Sequence, residues 1–174
     1  MKKLYLYIMC GLSFSGKTTL AKELVNKLGI KRVSIDEINN ERGLWDDETG
    51  LSPQEWENTY QEAYRRIDAF LSRGESVVDD SANFTREQRD RLRAIAKKYD
   101  AFSLVIFVDT PLSEARRRWQ ENRRIGMRGD VRDDDFAYVV QHFEPPAADE
   151  NVLRFSGMIS PEEHEQIMLL MLFP

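Results

Sequence analysis

Cysteine is almost missing from this chain: Cys10 stands alone among 174 residues. One thiol cannot close an intrachain disulfide or build a thiolate metal cluster. A reducing compartment suits such a composition, and a cytoplasmic location is the expectation. Histidine is nearly as scarce, and His142 and His164 lie too far apart in sequence to read as a metal centre. Surplus positive charge is lacking as well. A formal charge of −5 and a pI near 5.2 are the reverse of a general nucleic-acid coat. Long hydrophobic runs are missing too: "LYLYIMC" (4–10) and "IMLLMLF" (167–173) are each only seven residues, too short to span a bilayer. Bulky Met9 stands before Cys10 where a processing site needs a small residue. The first run is therefore expected to be a buried strand and the second the end of a core helix.

What is present is an ordinary globular composition, 41% hydrophobic and 32% charged, on a length that fits one domain over residues 1–174. Apolar runs alternate with helical patterns. "LYLYIMC" (4–10), "RVSI" (32–35), "SVVD" (76–79), "FSLVIFV" (102–108) and "VLRF" (152–155) read as five strands. The near-continuous apolar runs suit strands covered on both faces. Helix starts lie between them: Ser52-Pro53-Gln54-Glu55, Thr85 with Gln88, Thr110-Pro111 and Ser160-Pro161-Glu162-Glu163. After Ser52, an apolar stripe of Trp56, Tyr60, Ala63, Tyr64, Ile67, Phe70 and Leu71 recurs at helical spacing. Such alternation predicts an α/β fold with a doubly wound parallel five-stranded sheet.

"GLSFSGKT" (11–18) fits the pattern G-x-x-x-x-G-K-[ST], and it follows a strand and opens a helix. Glycine lets the backbone wrap with its N–H groups inward, and the helix start adds a partial positive charge. Gly11, Ser13, Ser15, Gly16, Lys17, Thr18 and Thr19 are thus candidate contacts of nucleotide phosphates. Lys17 would bridge the outer phosphates and is expected to stand solvated otherwise. Thr18 would offer its hydroxyl to magnesium.

Three classes of protein share such a loop. A guanine-nucleotide switch carries N-K-x-D, whereas "NKLG" (26–29) lacks the aspartate and lies in the first helix. Motor-type ATPases carry further domains that this length does not accommodate. A small kinase needs a base near the acceptor hydroxyl, and Asp36 in "SIDEIN" follows the second strand at the sheet edge where ligands gather; its bland alternative is a helix N-cap. The kinase also needs a carboxylate for the metal, and "SVVDDSANF" offers Asp79 and Asp80. Cationic cover comes from residues 115–132, where seven arginines face Glu121 and Asp130, a net of +5 that leaves −10 elsewhere. Guanidinium forks suit phosphate oxygens. Gly126 and Gly129 would let residues 120–135 act as a lid.

Taken together these segments resemble the small P-loop kinases, the group of phage polynucleotide kinase, zeta toxins and gluconate kinase. The resemblance implies a P-loop NTPase fold of kinase type, ATP and Mg²⁺ as cofactors, and Asp36 as general base. It maps a D-x-x-N…R segment onto Asp80, Asn83 and Arg89, making Asp80 a metal residue and Asn83 and Arg89 acceptor contacts. It also places lid arginines near the adenine and on the transferred phosphate, with Arg118 and Arg124 first and Arg128 next; Arg124 is taken as catalytic. Ala82 stands where that group commonly has a small residue or threonine. Trp45 falls where an acceptor would enter, as a substrate contact or as loop packing. Trp119 reads as helix core or adenine neighbour, and Cys10 as core packing.

The expected activity is transfer of the ATP γ-phosphate to a hydroxyl of a small acceptor. Alternatives are a polynucleotide 5′-hydroxyl kinase, a nucleoside or nucleotide kinase, and a non-catalytic ATP-binding module. Eight acids between Asp36 and Glu57 face only Arg42. If they wall the acceptor side, a neutral or cationic acceptor is favoured over a polyanion. No membrane partner is expected.

Overall fold

The computed structural model describes residues 3–44 and 50–158. Trp45, His164, the Ser160 helix start, the acids Asp46, Asp47 and Glu48, and the apolar run 167–173 lie outside the described residues.

Five strands form one parallel sheet: β1 (Tyr5–Cys10), β2 (Lys31–Ser34), β3 (Val77–Asp80), β4 (Phe102–Asp109) and β5 (Val152–Ser156). Their order is β2-β3-β1-β4-β5, and each neighbouring pair is parallel. β1 is central because its residues are covered on both faces. Leu6, Ile8 and Cys10 point into one core layer with Val33, Ile67, Leu92 and Val105. Tyr7 and Met9 point into the other, with Leu20, Ala21, Leu24 and Phe155. The period of two thus feeds two cores at once, as a doubly wound sheet requires.

The helices are α1 (Lys17–Leu28), α2 (Ile35–Glu41), α3 (Pro53–Ser72), α4 (Arg86–Lys98), α5 (Leu112–Ile125) and α6 (Asp133–Gln141). Ser52 and Thr85 close full capping boxes on α3 and α4, and each such cap is worth about 1 kcal/mol. Thr110 does not cap α5. Pro111 is the N-cap there, and the Thr110 hydroxyl turns to the carbonyl of Ser15 at 2.8 Å. Asp36 is not an N-cap either: Ser34 caps α2, and Asp36 lies in the first turn. His142 caps the C-terminus of α6. No helix among the described residues is long and apolar enough to cross a membrane.

Candidate functional site

The site gathers at the carboxyl edge of β1, β2 and β3, where a ligand crevice of such a sheet forms. Ser34, Ser52 and Thr85 occupy the amides of their helices, but α1 starts from Gly16 with no side-chain cap. Its first-turn N–H groups are left for an anion. Gly11 must be glycine, because a Cβ there would lie 2.6 Å from the carbonyl oxygen of Val108 and 2.9 Å from the Ser15 hydroxyl. Gly157, just past β5, is equally constrained: its Cβ would collide with the Thr110 hydroxyl. β4 and β5 therefore buttress the loop from below.

Phe14 breaks the pattern. It sits in the left-handed region at φ 63°, a conformation that costs a non-glycine residue about 1–2 kcal/mol.

Lys17 corrects the expectation of a solvated cation. It is buried at 9% exposure and donates to the carbonyl of Leu12 at 2.5 Å and to Ser15 Oγ at 3.4 Å. Burial lowers its ammonium to about 8, with Asp80 opposing. Thr18 Oγ1 donates to Asp80 Oδ1 at 3.2 Å, and Asp80 also takes Arg32 Nη1 at 2.6 Å. Hydroxyl and carboxylate oxygens side by side suit a hard cation such as Mg²⁺, which keeps water and phosphate as its remaining ligands. No cluster of three or more carboxylate, thiol or imidazole ligands occurs among the described residues.

Asp36 stands at the same edge. Its side chain keeps 52% of its surface, yet crowding raises its carboxyl above the ordinary aspartate range, with Arg128 as the main opposing influence. Arg128 Nη2 lies 4.0 Å from Asp36 Oδ2, and its guanidinium covers the Phe14 ring at 4.4 Å. The backbone of Arg128 is pinned by buried Asn122, which donates to its carbonyl at 3.0 Å and accepts from its N–H at 3.0 Å.

The lid arginines sort differently from the sequence expectation. Arg118 does lie at the loop, 2.7 Å from the carbonyl of Gly157 and 3.4 Å from that of Ser15. Arg124 does not. Its exposed side chain pairs with Glu121 one turn back on α5, because the two lie on one helix face. Arg128 is the arginine brought to Asp36. Trp119 is closed to a base: it stacks on Phe136 at 4.4 Å, carries Arg123 at 4.3 Å, and its N–H meets the carbonyl of Val131 at 2.9 Å.

Two expected acceptor contacts are structural instead. Arg89 is fully buried. Its Nε and Nη2 hold Glu150 at 2.7 and 3.1 Å, and its Nη1 donates to the carbonyl of Asn83 at 3.0 Å. An acceptor cannot reach it. Asn83, also buried and at φ 44°, donates to the carbonyl of Met9 at 2.8 Å and to Asp79 Oδ2 at 2.5 Å, tying the β3 exit to β1. Asp79, buried like Asp80, has its carboxyl raised to about 7 by desolvation. Cys10 packs beneath: its thiol donates to the carbonyl of Asn83 at 3.4 Å, and burial pushes it up to about 11.

The acidic wall is also revised. Glu37 pairs with Arg32, Glu41 with Arg66, and Glu57 with Arg91, while Glu55 closes the Ser52 capping box. Arginines from other elements thus pair three of the acids that the local count of −7 left unmatched. Sequence reasoning missed Thr110, Gly157, Phe14, Arg32 and Glu150. Of these only Phe14 carried a signal, as a bulky residue in a glycine-rich turn.

A family model described as an AAA domain matches residues 6–146. No curated protein matches the sequence. Among solved structures, Chaetomium thermophilum Kti12 in complex with ADP-AlF3 superimposes with TM-score 0.77 at 19% identity, covering 96% of this chain and 97% of that one. Mycobacterium tuberculosis APS kinase CysC, in complex with AMPPNP and APS, gives TM-score 0.69 at 19% identity over 98% and 99% of the two chains. A gluconokinase from Sinorhizobium meliloti 1021 gives TM-score 0.69 at 16% identity over 99% and 98%. The fold is that of the small P-loop kinases.

Proposed function

The chain belongs to the AAA domain family, and we propose that it uses this kinase-type fold to move the γ-phosphoryl group of Mg-ATP to a hydroxyl of a small acceptor. One juxtaposition carries the reading. Lys17, the Thr18–Asp80 pair and the Asp36–Arg128 pair converge on one sheet edge. Loop amides and Lys17 hold the outer phosphates, and Arg118 lies beside the loop that holds them. Thr18 and Asp80 would hold Mg²⁺, which neutralises phosphate charge when bound. Asp36 orients the acceptor hydroxyl and takes its proton; burial raises its carboxyl above the ordinary aspartate range, which strengthens it as a base. Arg128 stabilises charge on the moving group.

The APS kinase and gluconokinase neighbours, each named for a small acceptor, support a small acceptor here. The polynucleotide reading needs a continuous basic track, whereas the arginines near α3 and α4 are matched by acids. The test is ADP release from Mg-ATP against polyols, amino sugars, nucleosides and 5′-hydroxyl oligonucleotides. Stimulation by a small hydroxyl compound is expected. Binding of Mg-ATP with no stimulation by any acceptor would overturn the reading in favour of a binding module, and salt-sensitive stimulation by oligonucleotides alone would favour the polynucleotide kinase.

A further inference from the structure

We propose that Phe14 is a positioning residue: its ring is the platform on the phosphate loop that holds the Arg128 guanidinium between the loop and Asp36. The inference rests on the phosphotransfer reading above, in which Arg128 acts on the moving phosphoryl group.

Backbone geometry supplies the first reason. At φ 63° Phe14 occupies a conformation that glycine adopts freely and a bulky side chain does not. A side chain kept there against its own backbone preference needs something to hold. Packing into the main cores is not that reason. Phe14 is only 8% exposed, yet it belongs to neither of the two apolar cores that flank the sheet. The ring also carries a cation: Arg128 Cζ lies 4.4 Å from its centroid, well inside the range of attraction between a guanidinium and an aromatic face.

Arg128 supplies the second reason. Its main chain is fastened at both polar atoms to Asn122, so the start of the side chain is set by α5. The far end is a flexible chain that must be localised before it can serve a transition state. Phe14 provides one wall and Asp36, 4.0 Å away, the other. The Arg128 charge also reaches Lys17, where it helps hold the ammonium low. One guanidinium is thus held among the loop, the phosphate-bridging lysine and the candidate base.

The experiment uses the full chain and the variants Phe14→Leu, Phe14→Gly and Phe14→Tyr, each first checked for a cooperative thermal transition. Trypsin cleavage after Arg128 is timed with Mg²⁺ and a non-hydrolysable ATP analogue, a readout independent of any transfer. Phe14→Leu and Phe14→Gly should be cut at least about fivefold faster than wild type, and Phe14→Tyr at nearly the wild-type rate. With an active acceptor, Phe14→Leu should lower kcat about tenfold and leave the KM for ATP within about twofold. Phe14→Leu combined with Arg128→Ala should be no slower than Arg128→Ala alone. Equal cleavage rates in all folded variants would overturn the proposal whether or not the chain is a kinase. So would an additive double variant, or a raised KM with unchanged kcat, which would make the ring an adenine contact or plain scaffold. If neither truncation folds, Phe14→Met replaces them, and wild-type cleavage and kcat in that variant would sink the idea. A chain that transfers to no acceptor, but whose Phe14 variants loosen Arg128 as described, would fail the functional reading and leave the platform standing.

Discussion

Beneath and around the phosphate loop, polar side chains find partners in the interior. Lys17 sits on the carbonyl of Leu12, Thr110 on that of Ser15, Asn83 on that of Met9, and Arg89 on Glu150. Along α2 and α3 the pairs lie toward the surface: Glu37 with Arg32, Glu41 with Arg66, Glu57 with Arg91. Interior bonds in a dry setting are hard to exchange and hold their geometry. Surface ion pairs contribute about 0–1 kcal/mol and rearrange readily. Under the phosphotransfer reading, the donor side is built to stay in place. Acceptor choice would then rest on surface side chains that can change at little cost in stability.

Lys17→Met attacks the donor side most directly. ADP release should fall by about three orders of magnitude or more. Stability should move the other way at neutral pH. The folded ammonium sits near 8 and the unfolded one near about 10.4, so the unfolded chain binds the proton more tightly. The wild type carries the full cost of burying this charge below pH 8, on the order of 3 kcal/mol, and sheds it as pH rises toward about 10. The lost bond to Leu12 offsets about 1 kcal/mol. Melting curves at pH 7 and 10 should show the variant ahead at the first and level at the second.

Asp36→Asn tests the junction of the two sides. Turnover should drop by about two to four orders of magnitude while ATP affinity, read by titration calorimetry, holds within about twofold. Collapse of ATP binding would move Asp36 into the donor machinery.

Arg89→Met should cost about 3 kcal/mol of folding free energy, because it strips buried Glu150 of its two-point partner and leaves it the longer contact to Arg86 at 4.0 Å. Adding Glu150→Met should recover most of that loss. Urea midpoints measure both, and an Arg89 that bound acceptor would instead change KM in a stably folded variant.

A sharper contrast sets Arg128→Ala against Arg124→Ala. The first should lower kcat about 10- to 100-fold and the second less than about twofold, since Arg128 lies at Asp36 whereas Arg124 pairs with Glu121. Reversed effects would restore the original assignment of the lid.

The smallest effect is expected at Asp79→Asn. The folded carboxyl sits near 7 and the unfolded one near about 3.9. The folded state therefore binds the proton more tightly, and wild-type stability falls as pH rises from about 4 to 7. Linkage alone favours the variant at pH 8 by about 4 kcal/mol, weaker bonds from Ser81 and Asn83 offset about 2, and the net advantage on the order of 2 kcal/mol is absent at pH 4.

Strand and helix alternation, the phosphate loop and the Ser52 and Thr85 caps were determined by the sequence alone. Each is a short-range pattern in which backbone preference and side-chain period act within a few residues. The five expected strands form, and the loop opens α1 as its spacing requires. Asp36 also lies where its place after β2 put it, because parallel strands deliver their following residues to one edge. The arginines were another matter. Arg89 meets Glu150 across 61 residues and Arg32 meets Asp80 across 48, and no period in the sequence links such partners. A guanidinium on a long flexible stem takes whichever carboxylate or ring the packed elements bring within reach. Burial of Lys17, the choice of Arg128 over Arg124, and the paired acids of α2 and α3 were accordingly decided only when the sheet and its helices came together.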